Sequence, residues 1–251
     1  MADLMSPQFW IAVVEIIFVN ILLSGDNAVV IALACRNLSQ RQRRLGIFWG
    51  VFGAVVLRIV LTFFAMTLLG YPWLKLVGGA LLLWIGVKLI AQEDGGDHKV
   101  KASDRLMTAV WTIIIADLIM SLDNVVGVAA AAKGSLLLIV FGLVTSIPIV
   151  IVGSQIIMRL IARFPVLVYA GGGLLGFIAG EMMVDDPAIR SWIAANAAES
   201  ATIAPAVGFV LVVAVGMWLV RKRARRVERS PGGGVHSRPK DGANPPQNPS
   251  Q

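Results

Sequence analysis

Glu15–Leu38 reads EIIFVNILLSGDNAVVIALACRNL, and Thr112–Ser135 reads TIIIADLIMSLDNVVGVAAAAKGS. Laid over one another, Ser24 meets Ser121, Asp26 meets Asp123, Asn27 meets Asn124 and Val29 meets Val126, at a constant offset of 97. Coincident Leu, Val and Ala mean little in apolar sequence. A paired Ser-x-Asp-Asn means more, because a charge at mid-bilayer costs at least ~2.5 kcal/mol and is correspondingly rare. The two stretches read as copies of one membrane-embedded unit.

The rest of the chain agrees with a membrane setting. Of 251 residues, 57% are hydrophobic and 15% charged, with a mean hydropathy of +0.78; a soluble domain carries about 25% charged residues. Apolar runs near the ~20 residues needed to cross a bilayer occur at about 8–34, 46–69, 72–91, 107–132, 135–158, 164–183 and 203–220. The second and fifth runs align Phe52-Gly53 with Phe141-Gly142, and the third and sixth align Gly78-Gly79 with Gly171-Gly172, Leu81-Leu82 with Leu174-Leu175 and Trp84 with Phe177 at an offset of 93. Three segments therefore repeat in order. An odd number of spans per unit inverts the second copy, the arrangement from which many secondary transporters build two exchangeable states. The expected fold is all-α: a polytopic bundle of seven helices, an inverted 3+3 repeat plus one appended helix. Its parts are a first repeat over 8–91, a loop over 92–106, a second repeat over 107–183, a seventh span over 203–220 and a basic, disordered tail over 221–251.

The net charge of +7 is distributed like that of a membrane protein rather than a nucleic-acid binder. Alternate connections hold 17 Lys and Arg, while the others hold two, Lys133 and Arg190. Retention of basic residues in the cytoplasm places the N-terminus outside and the C-terminus inside the cell (inner) membrane. The cluster at Arg221-Lys222-Arg223 and Arg225-Arg226 reads chiefly as a stop signal, with contact to anionic lipid as the sharper alternative. Cys35 is the only cysteine, and His98 and His236 lie outside the apolar runs, so thiolate and imidazole metal sites are excluded from the spans.

Intramembrane charges are the candidates for function. Asn20, Ser24 and Asn27 fall on one helical stripe, as do Asp117, Ser121 and Asn124, with Asp26 and Asp123 on the flanks. Every donor offered is an oxygen, which suits a hard divalent cation such as Mn²⁺, Mg²⁺ or Ca²⁺ and not zinc or copper. Carboxylates crowded in a low dielectric repel one another, so protons compete with the metal, as cation/proton exchange requires. Gly25 weakens its helix and would free backbone carbonyls. Glu15, 11 positions before Asp26, shares its face, and Glu181 closes the sixth run; both are further ion or proton stations. Arg58 is expected to balance one of the acids, and Lys75 and Lys88 to snorkel. The blander reading of the serines and asparagines is hydrogen bonding between helices.

At Leu23-Ser24-Gly25-Asp26-Asn27-Ala28 and Met120-Ser121-Leu122-Asp123-Asn124-Val125, with Gly180-Glu181-Met182, the chain resembles the TerC family of the lysine-exporter superfamily, over about residues 8–220. The resemblance implies seven transmembrane helices, a link to tellurium resistance, and efflux of manganese or a related divalent cation. Some members carry an acid six positions before each motif Asp; Asp117 matches this and Asn20 departs from it. The expected site is Asp26, Asn27, Asp117, Asp123 and Asn124, with Glu15, Asn20, Ser24, Ser121 and Glu181 as secondary candidates. The expected activity is Mn²⁺ export by proton antiport, with no permanently bound cofactor, no nucleic-acid partner and no enzymatic chemistry. Export of a small organic solute such as a basic amino acid and a non-transporting stress-resistance scaffold are the alternatives.

Overall fold

A computed structural model describes residues 11, 14, 25–68, 71–92, 102–131 and 136–228; for 65–68, 123–131, 136–139, 198, 224 and 226–228 it describes the backbone alone. All regular structure in these residues is helical: α1 (Gly25–Cys35), α2 (Gln40–Leu68), α3 (Leu74–Ala91), α4 (Ala102–Ala131), α5 (Leu136–Arg163), α6 (Val166–Val184), α7 (Arg190–Asn196) and α8 (Ala198–Glu228). Six of these are long and apolar enough to span a membrane, and α1 is a shorter apolar helix. Hydrocarbon offers backbone N–H and C=O groups no partner, so long apolar segments close their hydrogen bonds within themselves. The chain is a polytopic helical bundle. The first expected span survives here only as α1, since 15–24 lie outside the described residues.

Aromatic side chains crowd the outside, and aliphatic ones fill the inside. Phe63, Trp73, Trp84, Trp111 and Trp218 are exposed, whereas Ala32, Leu33 and Cys35 are fully buried. This is the pattern of a surface bathed in lipid, where exposed apolar groups carry no penalty and close packing drives association. α1 sits at the centre, against α4 and α5, while α2 packs chiefly on α4, and α6 on α3 and α8.

The α3–α6 contact is reciprocal. A Cβ on Gly79 would lie 2.9 Å from the Ala179 carbonyl and against Met183; one on Gly172 would lie 3.2 Å from the Gly86 carbonyl and against Ile90. Adding 93 to Gly79, Gly86 and Ile90 gives Gly172, Ala179 and Met183. The two contacts thus exchange under the same offset that aligns the sequences.

Two features of the ends differ from expectation. α8 continues to Glu228, into the segment expected to be disordered; Arg and Ala are strong helix formers, and Arg223 donates to the Ala91 carbonyl at 2.9 Å. Lys75 does not snorkel: it is buried and pairs through Nζ with Asp185 Oδ2 at 2.7 Å. Lys88 lies 4.9 Å over the Trp84 ring, as a residue at an interface does.

Candidate functional site

α4 runs from Ala102, so Asp117 lies about 22 Å along it at 1.5 Å per residue, near its middle. Arg58 of α2 meets it there. The guanidinium Nη2–H donates to Asp117 Oδ1 at 2.6 Å, and Nε–H donates to Ser121 Oγ at 2.8 Å. The Ser121 hydroxyl donates in turn to Asp117 Oδ2 at 3.2 Å. The i, i+4 spacing of Asp117 and Ser121 puts both on one face, and Arg58 closes the triangle. Arg58 is 5% exposed and Ser121 fully buried. A turn further on, the Thr62 hydroxyl donates to the Arg58 carbonyl at 2.7 Å.

α1 brings the second half. Asp26 interacts electrostatically with both Arg58 and Asp117, and its Oδ1 accepts the Asn27 N–H at 2.8 Å. Asn27 is buried, and its side-chain carbonyl oxygen has no hydrogen-bond partner among the described residues. That is an acceptor without a donor, in a setting where an unmade hydrogen bond costs ~1–3 kcal/mol. It borders a cavity of about 30 Å³ also lined by Arg58, Asp117 and Ser146 and otherwise by aliphatic side chains of α1, α2, α4 and α5. This is the volume of about one water molecule. Ser146 turns its hydroxyl proton to the Leu143 carbonyl at 2.8 Å, leaving its lone pairs available.

The structure therefore brings Asn27, Asp117 and Ser121, three of the residues singled out in the sequence, around Arg58, with Ser146 at the edge and Asp26 near enough to feel the charges of Arg58 and Asp117. The expectation that Arg58 balances one of the intramembrane acids is met at Asp117; Ser146, one hydroxyl among many, carried no such signal. Asp123 and Asn124 are on α4, two and three residues beyond Ser121, and their side chains lie outside the description, as do Glu15, Asn20 and Ser24 altogether. Glu181 is exposed on α6 and is not among the residues lining the cavity. No cluster of three or more His, Cys, Asp or Glu occurs among the described residues; the oxygens gathered here are two carboxylates, an amide and two hydroxyls around a guanidinium.

A bundle of membrane-length helices enclosing a partly uncompensated ionic cluster is an integral membrane protein with a buried polar site. The chain belongs to the Integral membrane protein TerC family, whose profile matches residues 5–228. It is 40% identical over 220 residues to the uncharacterized membrane protein YjbE of Bacillus subtilis (strain 168), covering 87% of this chain and all of that one. The uncharacterized membrane protein YceF of the same organism is 27% identical, covering 71% and 73% of the two chains. The UPF0053 inner membrane protein YgdQ of Escherichia coli (strain K12) is 24% identical, covering 63% and 74%. No solved structure matches.

Proposed function

We propose that the protein is a secondary transporter that exports a hard divalent cation, Mn²⁺ or a close relative, in exchange for protons. One observation carries the reading: Asp117 and Asn27, whose side-chain oxygen has no partner among the described residues, border the same small cavity near the middle of the bundle. A carboxylate there is costly, and an idle amide oxygen adds to the cost; a dehydrated cation would repay both. The donors are all oxygens, the set that prefers Mn²⁺, Mg²⁺ or Ca²⁺. The volume, about 30 Å³, admits a bare ion and not an amino acid, which favours the ion over the organic-solute alternative.

Asp26 and Asp117 would supply charge and Asn27 a neutral ligand, with Asp123 and Asn124 expected to complete the shell from α4. Protons that leave the site as a divalent cation binds keep its charge near constant, which is the chemical basis of antiport. The reciprocal Gly79–Ala179 and Gly172–Gly86 contacts support an inverted repeat, and with it alternation of the site between the two membrane faces. The basic connections support an inner-membrane orientation with the N-terminus outside.

The test is the metal content of cells lacking the protein, measured for Mn, Mg, Ca, Fe and Zn after complementation. Asp26→Ala and Asp117→Ala cells should retain as much manganese as the uncomplemented strain. Retention no greater than with the wild-type protein, at equal expression, would remove the site.

A further inference from the structure

Arg58 stands where the cargo should bind. Its two bonds reach Asp117 Oδ1 and the Ser121 hydroxyl, and Ser121 donates to Asp117 Oδ2, so each carboxylate oxygen already accepts a hydrogen bond. Asp117 and Arg58 line the same adjoining cavity, so a cation that enters it meets the guanidinium at the carboxylate it would bind. A guanidinium does not lose its proton at any physiological pH. It therefore cannot be neutralised to make room; it has to move.

We propose that Arg58 is a tethered cation: it holds Asp117 while the site is empty and is displaced by the arriving ion. This rests on the cation-carrier reading above and adds its regulation. A bare carboxylate is as costly in the returning empty carrier as in the loaded one. Here the guanidinium balances that charge. The tethered charge also sets a threshold: the cargo must outcompete a ligand that is always present. Monovalent ions, with half the charge of a divalent cation at the same contact distance, are disfavoured by the same contest.

The experiment is direct Mn²⁺ binding to purified protein in detergent at pH about 8, followed by loss of the free-Mn²⁺ electron paramagnetic resonance signal. Arg58→Gln should bind Mn²⁺ about tenfold or more tightly, since a competing charge has been removed. Arg58→Lys keeps the charge but cannot bond Asp117 and Ser121 together; it should show a smaller gain in affinity. Asp117→Asn should abolish the difference between Arg58 and Gln at position 58. If Arg58→Gln does not survive purification, Arg58→Lys decides the matter by the same titration. Unchanged or weaker binding by a folded variant would make Arg58 a structural brace and overturn the proposal. Absence of any saturable Mn²⁺ binding to the wild type would instead overturn the cation site itself, and is separately recognisable.

Discussion

Asn27 shows how a single residue separates stability from function. Its side-chain oxygen is buried without a donor, so replacing the amide with an apolar group of similar size removes a penalty rather than an interaction. Asn27→Leu should leave the thermal unfolding midpoint in detergent unchanged or raised, while weakening Mn²⁺ binding by about tenfold, the equivalent of ~1.4 kcal/mol. A loss of stability with intact binding would assign the residue to packing. Asp186 is the opposite case, an acid used for architecture. Burial alone would push its carboxyl up, but the backbone N–H groups of Ala188, Trp73, Leu76 and Lys75 outweigh that and hold it below its ordinary value. A carboxyl lowered in the fold contributes stability at all pH above its unfolded value, near 3.9, and loses it as pH falls through the folded value. Wild-type melting temperature should therefore drop below pH ~4. Asp186→Asn should start lower at pH 7 and show a shallower drop, as read by melts across the pH series.

Helix packing here depends on what is missing from certain Cα atoms. A Cβ on Gly208 would overlap the Gly176 carbonyl, and one on Gly180 the Ala204 carbonyl, so α6 and α8 touch backbone to backbone. The every-fourth spacing of Gly172, Gly176 and Gly180 announced a smooth face, though not which helix would lie on it. Gly208→Val forces the helices apart and should cost at least ~1–3 kcal/mol, measurable as a lowered melting temperature. Gly25 is the contrast: nothing described lies within 4 Å of a Cβ there. Gly25→Ala should stabilise α1 by up to ~1 kcal/mol, so a slowed transport rate in that variant would mark Gly25 as a point of movement. Asp186 belongs to this scale too. Its Oδ1 accepts the Trp73 N–H at 2.9 Å and its Oδ2 the Leu76 N–H at 3.1 Å, serving the otherwise unpaired first turn of α3 from the far side of α6. That bond also holds Trp73 at φ 71°, in a region that disfavours residues with a Cβ.

For the molecule as a whole, the alternation of basic connections makes a topological prediction. With Cys35 replaced by Ser, a cysteine at Ser191, exposed on α7, should react with a membrane-impermeant maleimide in intact cells. One at Ser103, exposed at the start of α4, should react only after permeabilisation. Labelling of both from the same side would contradict the arrangement of the spans. The reciprocal α3–α6 contacts give the bundle a second property: an approximate exchange of its halves, in which α1 on α5 corresponds to α4 on α2. The polar cluster breaks that exchange. Position 20 is Asn where its counterpart 117 is Asp, and Arg58 pairs with the second half alone.

Membrane residence, helical structure and the acids worth asking about were all legible in the sequence. Each depends on local composition or on spacing within one segment, and hydrocarbon permits little besides helices. Which partners those acids find was not legible. Asp117 meets an arginine 59 positions away, Lys75 meets Asp185, and Asn27 is left with an empty oxygen beside a cavity of four helices. Such pairings depend on how each helix is rotated and how far it slides against its neighbours. Those quantities come from small-residue contacts summed over the whole bundle, and no single segment encodes them. The paired Asp-Asn motif thus drew attention to these helices, while only the tertiary structure decided that the Arg58 guanidinium lies against Asp117.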